Sequence, residues 1–113
     1  DFPSLEVLGL LFEGEGFRVL SAGNGAEALA LLEAQTVDLV VTDFMMPLMD
    51  GVELAQRLRA DVRFAKLPVV LTSASFQLTP EAQGLFAAIF RKPFLFDEVL
   101  AAVRRSLGGL EPG

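Results

Sequence analysis

Between Ser4 and Gly14 the apolar residues Leu5, Leu8, Leu11 and Phe12 recur at three- and four-residue steps while Glu6, Gly9 and Glu13 fall opposite, the period of a helix with one buried stripe. Pro3-Ser4 is a start signal and Gly14 with Gly16 a stop. Phe17 to Ala22 (FRVLSA) is short, apolar and bounded by glycines, which predicts a strand, and Gly25 to Ala34, after Asn24, is rich in strong helix formers. Val37 to Asp43 is a near-continuous apolar run ending in a charge, as expected of a parallel strand covered on both faces. Phe44 to Asp50 reads as a loop containing Pro47, and Gly51 to Ala60 as a helix capped by Asp50. Leu67 to Ser73 predicts another buried strand. Thr79-Pro80-Glu81 opens a helix to about Phe86, Ala88 to Arg91 is a short strand, and Asp97 to Leu107 is a helix ended by Gly108-Gly109.

Helices alternating with strands across short loops predict an α/β fold, a doubly wound parallel sheet with right-handed crossovers. The pattern yields five helices and four strands. Ligands in such sheets bind beyond the carboxyl ends of the strands, which singles out Asp43, Ser73 and Lys92.

The chain has 113 residues, 52% of them hydrophobic and 21% charged, the range of one globular domain with a real core. Residues 1–113 are expected to form a single domain with a tail at 108–113. A net charge of -6 leaves no basic stripe for a nucleic-acid backbone, so direct DNA binding is not expected. The apolar runs are too short to span a bilayer and no signal peptide is visible, which makes a cytoplasmic location the expectation. Cys and His are absent, excluding disulfides, thiolate metal sites and imidazole catalysis. What remains is chemistry by carboxylates, hydroxyls, Lys and Arg. A carboxylate is a nucleophile toward phosphorus and a hard ligand for Mg2+, a hydroxyl donates one hydrogen bond, and an ammonium offsets phosphate charge.

At these positions the sequence resembles a known family. Asp43-Phe44-Met45-Met46-Pro47-Leu48-Met49-Asp50-Gly51 matches the D-x-x-M-P-x-M-D-G signature of response-regulator receiver domains. Leu67 to Ala74 resembles their fourth-strand motif, a Thr or Ser before Ala, and Arg91-Lys92-Pro93-Phe94 resembles the K-P-F after the fifth strand. The resemblance implies a flavodoxin-like receiver fold with strand order 2-1-3-4-5. It implies Asp43 as phospho-acceptor, Ser73 as switch hydroxyl, Lys92 as the phosphoryl salt-bridge partner, and Met45 and Ala74 as backbone contacts to the phosphoryl group. Asp1-Phe2-Pro3-Ser4 looks like the second acid of D-D-x-P, so Mg2+ would be held by Asp1, Asp43 and the Met45 carbonyl. The implied donor is a phosphohistidine on a histidine kinase or histidine phosphotransfer protein.

The chain departs from the family in three places. The family's first strand has no counterpart, so the domain is expected to be N-terminally incomplete. Ile89 stands at the switch position, three before Lys92, where the family carries Tyr or Phe. The stretch from Ala74 to Lys92 is short. These departures motivate a competing reading, a pseudo-receiver that works by constitutive protein contacts without phosphorylation. A nucleotide- or flavin-binding protein of similar fold is a weaker competitor, because neither phosphate-binding glycine motif occurs. Met45, Met46 and Met49 are read as soft packing and most of the ten Phe as core. Phe90, Phe94 and Phe96 are the basis for an expected homodimer contact, provided they are exposed.

Overall fold

The computed structural model describes residues 4–74 and 78–108. Helix α1 runs Leu5–Gly14, α2 Gly25–Ala34, α3 Gly51–Ala60, α4 Pro80–Gln83 and α5 Phe96–Ser106; the strands are β1 Val40–Asp43, β2 Val69–Ser73 and β3 Ala88–Arg91. The helix starts follow the capping chemistry of the sequence. The side chains of Ser4, Asn24, Asp50 and Thr79 accept hydrogen bonds from Val7, Glu27, Glu53 and Ala82 N–H, occupying donors that a helix start leaves unpaired. α4 is shorter than expected and stops at Gln83, with Gly84 as its C-cap.

The three strands are parallel in the order β1-β2-β3. β2 is central and buried along its whole length, so its Val-Val-Leu run has no solvent face to alternate with. Two clusters cover the sheet. Leu8 and Phe12 of α1 with Val99 and Val103 of α5 pack on Val70, and Leu32 of α2 with Leu54 and Leu58 of α3 pack on Val69. Burying one such leucine contributes roughly 1.5–3 kcal/mol.

Phe17 to Ala22, expected as a strand, pairs with nothing among the described residues. The reason is local. An extended segment becomes a strand only beside another backbone, and between it and β1 lies a cavity of about 480 Å³ lined by Val19, Leu20, Val40 and Val41 among others. The sheet therefore has β1 at an edge, and the described residues supply the part of the 2-1-3-4-5 order from its third strand onward. Away from the site, Arg59 donates to the carbonyls of Phe64, Ala65, Leu67 and Leu85, tying α3 to the loop before β2 and the loop before β3.

The expected aromatic contact surface is core instead. Phe94 is buried and Phe90 and Phe96 pack against the α1–α5 cluster, where Phe96 meets Phe12 edge-on at 5.0 Å. The homodimer expectation loses its basis in these rings. Met49 is buried and Met46 half-buried, as expected of packing, whereas Met45 is 77% exposed.

Candidate functional site

The register of the sheet assembles the site. Asp43, the last residue of β1, lies opposite Thr72 of β2, and residues in register share a face of the sheet. Thr72 in turn lies opposite Phe90, and Lys92 follows two residues on, with its backbone N–H donating to the Ser73 carbonyl at 2.8 Å. Period-two alternation thus sends the side chains of Asp43, Thr72 and Lys92 the same way. Their contacts agree. Lys92 Nζ lies 2.9 Å from both Asp43 carboxylate oxygens, and Thr72 Oγ1 donates to Asp43 Oδ1.

The Asp43 and Lys92 side chains are only 21% and 19% exposed, so their attraction is screened less than that of a surface pair. The Glu33–Arg63–Asp61 group shows the contrast. Its members lie at the surface, with Asp61 partly buried, and there Arg63 holds both carboxyls below their usual range through direct hydrogen bonds. The Lys92–Pro93 peptide bond is cis.

The loop after Asp43 is pinned at several points. Phe44 N–H donates to Thr72 O and Gly51 N–H to Phe44 O, each at 2.8 Å, and Thr42 Oγ1 lies 3.1 Å from Met46 Sδ. Met49 N–H donates to Pro47 O across Leu48, whose φ is 71°, a γ-turn in the left-handed region. For a leucine that backbone costs about 1–2 kcal/mol. Gly51 allows α3 to start against the strand end. A Cβ there would lie 2.6 Å from the Asp43 carbonyl oxygen and 2.8 Å from Leu71 Cδ1. Gly51→Ala is accordingly expected to destabilise the fold by about 1–3 kcal/mol, read from the midpoint of urea unfolding.

The structure therefore brings two of the sequence-derived residues, Asp43 and Lys92, into direct contact, and adds Thr72, which the motif reading passed over. Ser73 is buried one position further along β2, opposite Arg91. Ala74 is exposed at the strand end, and Ile89 of β3 is 37% exposed. Asp1 lies outside the described residues. Asp50 serves as the α3 cap. Thr72 was findable from the sequence only by carrying the strand parity over from Asp43, because two hydroxyl residues stand side by side there.

The family model described as the response regulator receiver domain matches residues 1–104. Among curated proteins the chain is 34% identical over 111 residues to the DNA-binding dual master transcriptional regulator RpaA of Synechocystis, covering 95% of this chain and 46% of the relative. It is 38% identical over 104 residues to the response regulator Rre1 of the same organism, covering 89% and 45%. It thus spans about half the length of these two proteins. It is also 30% identical over 102 residues to sporulation initiation phosphotransferase F of Bacillus subtilis, covering 89% of this chain and 82% of that one. Among solved structures, the response regulator TrrA of Thermotoga maritima in complex with Mg2+-BeF aligns with a TM-score of 0.80 at 28% identity, covering 90% of this chain and 88% of that one. The Francisella response regulator 1452 receiver domain aligns at 0.82 and 29%, covering 94% and 88%.

Proposed function

The chain belongs to the response regulator receiver family of two-component signalling, a family of phospho-accepting domains, and from that premise we propose that Asp43 is its phospho-acceptor, Lys92 the cation that steadies the phosphoryl group and Thr72 the hydroxyl that senses it. The observation that carries this reading is the convergence of the three side chains at the carboxyl ends of β1, β2 and β3. Residues 1–113 act as one receiver domain, with 108–113 as a tail.

The chemistry needs little beyond placement and charge neutralisation. A carboxylate oxygen of Asp43 attacks the phosphorus of a phosphohistidine on a histidine kinase or phosphotransfer protein. The O–P bond forms as the P–N bond breaks, and the departing imidazole nitrogen keeps the electron pair and takes a proton from water. The acyl phosphate adds about -1.5 to -2 of charge and three acceptor oxygens. Lys92 is already within reach of that charge, and the Thr72 hydroxyl, which now donates to Asp43, turns to a phosphoryl oxygen. The Met45 and Ala74 backbones flank it. Rearrangement of β2 and β3 then changes what the adjoining surface presents, with Ile89 on β3 in the place of an aromatic gate.

Mg2+ fits the donor set. This ion keeps several waters and takes one or two carboxylates with other hard oxygens. The Asp43 carboxylate and the Met45 carbonyl are such donors, and Asp1 is the second acid by resemblance. When bound, the ion neutralises charge between the carboxylate and the incoming phosphoryl oxygens. The Thermotoga relative, solved with Mg2+-BeF, supports this assignment. With acetyl phosphate as donor, phosphoryl uptake by intact mass is expected to cease in excess EDTA and to return on adding Mg2+. Uptake unchanged by EDTA would count against the ion.

The hydroxyl assignment has its own test. Thr72→Ala is expected to change the lifetime of the acyl phosphate several-fold, by roughly 1 kcal/mol, and Ser73→Ala to leave it close to that of the parent, as followed by loss of the phosphorylated mass with time. The reverse order would return the role to Ser73. The pseudo-receiver reading is not favoured, since the acceptor and its cation are in contact. Among the described residues no helix is long and apolar enough to cross a membrane. The acidic balance of the chain argues that any DNA contact belongs outside it.

A further inference from the structure

Among the described residues the buried polar side chains are those of Thr42, Thr72 and Ser73. Thr72 and Ser73 stand at the end of β2 beside the acceptor. Thr42 is different. It follows Leu39, Val40 and Val41 in an apolar run and has no part in the chemistry described above. Strand alternation turns it away from the face that Asp43 presents, onto the side where Val40 packs with α2 and α3. A valine would have the same shape there. With the residue only 2% exposed, its hydroxyl costs desolvation energy unless it is hydrogen-bonded, so its partners say what it is for.

Those partners lie on either side of Met45. Thr42 Oγ1 donates to the Asp43 carbonyl at 3.0 Å and to Met46 Sδ at 3.1 Å. A hydroxyl carries one proton, so the two acceptors share it. Met46 packs on the same cluster as Val40 and Leu54, and on the other side Phe44 N–H is held by the Thr72 carbonyl at 2.8 Å. The Met45 side chain is 77% exposed and gives the backbone little hold. Its peptide is therefore placed by its two neighbours, one tied to β2 and the other to Thr42.

We propose that Thr42 is a positioning residue for the divalent cation: its hydroxyl clamps Met46 to the end of β1 and thereby fixes the Met45 carbonyl as an oxygen donor beside Asp43. The inference rests on the reading of Asp43 and the Met45 carbonyl as Mg2+ donors, and adds to it a residue that touches neither ion nor phosphoryl group. Mg2+ tolerates little departure from octahedral geometry, so a loosened carbonyl weakens the hold on the ion before it alters the acceptor. Partners that orient a ligand act on affinity in this way.

The test compares the full chain with Thr42→Val, which keeps the shape and removes the donor, and with Thr42→Ser, which keeps the hydroxyl. Binding of Mn2+, an ion that takes the same oxygen donors, is titrated on the unphosphorylated proteins by electron paramagnetic resonance. Uptake from acetyl phosphate is then followed against Mg2+ concentration. Thr42→Val is expected to bind Mn2+ about fivefold more weakly. It should need correspondingly more Mg2+ for uptake, yet reach a rate at saturation within about twofold of the parent. Thr42→Ser should stay within about twofold of the parent in both assays. Met46→Leu removes the acceptor at similar size and is expected to shift Mn2+ binding as Thr42→Val does, with no further loss in the double variant; it replaces Thr42→Val should that protein fail to fold.

Mn2+ binding by Thr42→Val equal to that of the parent overturns the clamp. So does equal weakening by Val and Ser, which would make the effect one of packing, and so does uptake lowered at every Mg2+ concentration with Mn2+ binding unchanged. A parent chain that binds no Mn2+ contradicts the metal reading itself, and the clamp with it.

Discussion

Asp43→Asn is expected to abolish phosphoryl uptake while leaving a folded protein. The amide keeps the size of the side chain and can still accept a hydrogen bond from Thr72 and one from Lys92, so the packing of β1 against β2 is retained. What it loses is the anionic oxygen that attacks phosphorus. Among the described residues Asp43 is the carboxylate seen in contact with Lys92. Intact mass after incubation with Mg2+ and acetyl phosphate, beside a circular dichroism melt, separates lost chemistry from lost fold. Phosphoryl gain by the Asn variant equal to that of the parent would move the acceptor elsewhere.

The second large effect is expected at Lys92. Its ammonium lies 2.9 Å from the acceptor carboxylate in a partly buried setting, where a fixed charge aimed at developing phosphoryl oxygens acts strongly. Lys92→Ala should slow uptake from acetyl phosphate by about 100-fold, measured as the initial rate of mass gain. Lys92→Arg should recover only part of the rate, since a planar fork does not place its charge where a compact ammonium does. A rate for Lys92→Ala within a few-fold of the parent would make the ion pair a structural one. Removing the cation leaves Asp43 partly buried without its partner, so a drop in thermal stability is expected alongside.

Much of this architecture was legible in the chain. Helix starts were announced by Ser4, Asn24, Asp50 and Thr79, and each caps as its side-chain chemistry requires. The apolar run ending in Asp43 and the block after it pointed to the candidate site, because an acid closing a buried parallel strand sits where such sheets bind ligands. The failures have a common cause, which is that pattern is local and pairing is not. Phe17 to Ala22 has the composition of a strand, but the described residues give it no neighbour to bond. Thr72 and Ser73 are chemically alike, and the contact of Thr72 with Asp43 follows from the register of the two strands, which no local pattern carries. Phe90, Phe94 and Phe96 resembled an exposed cluster by proximity in sequence, yet α1 folds across them. Met45 was read as packing and is in water, whereas its neighbour Met46 turns inward onto Thr42.

The central claim, that Asp43 receives the phosphoryl group, is tested most directly by locating the modification. An aspartyl phosphate is reduced by borohydride to homoserine, a permanent mark that peptide mass spectrometry can place on the chain. After treatment with Mg2+ and acetyl phosphate, homoserine at position 43 is the predicted result. Homoserine at any other position, or none in a protein that has gained a phosphoryl group, would contradict it.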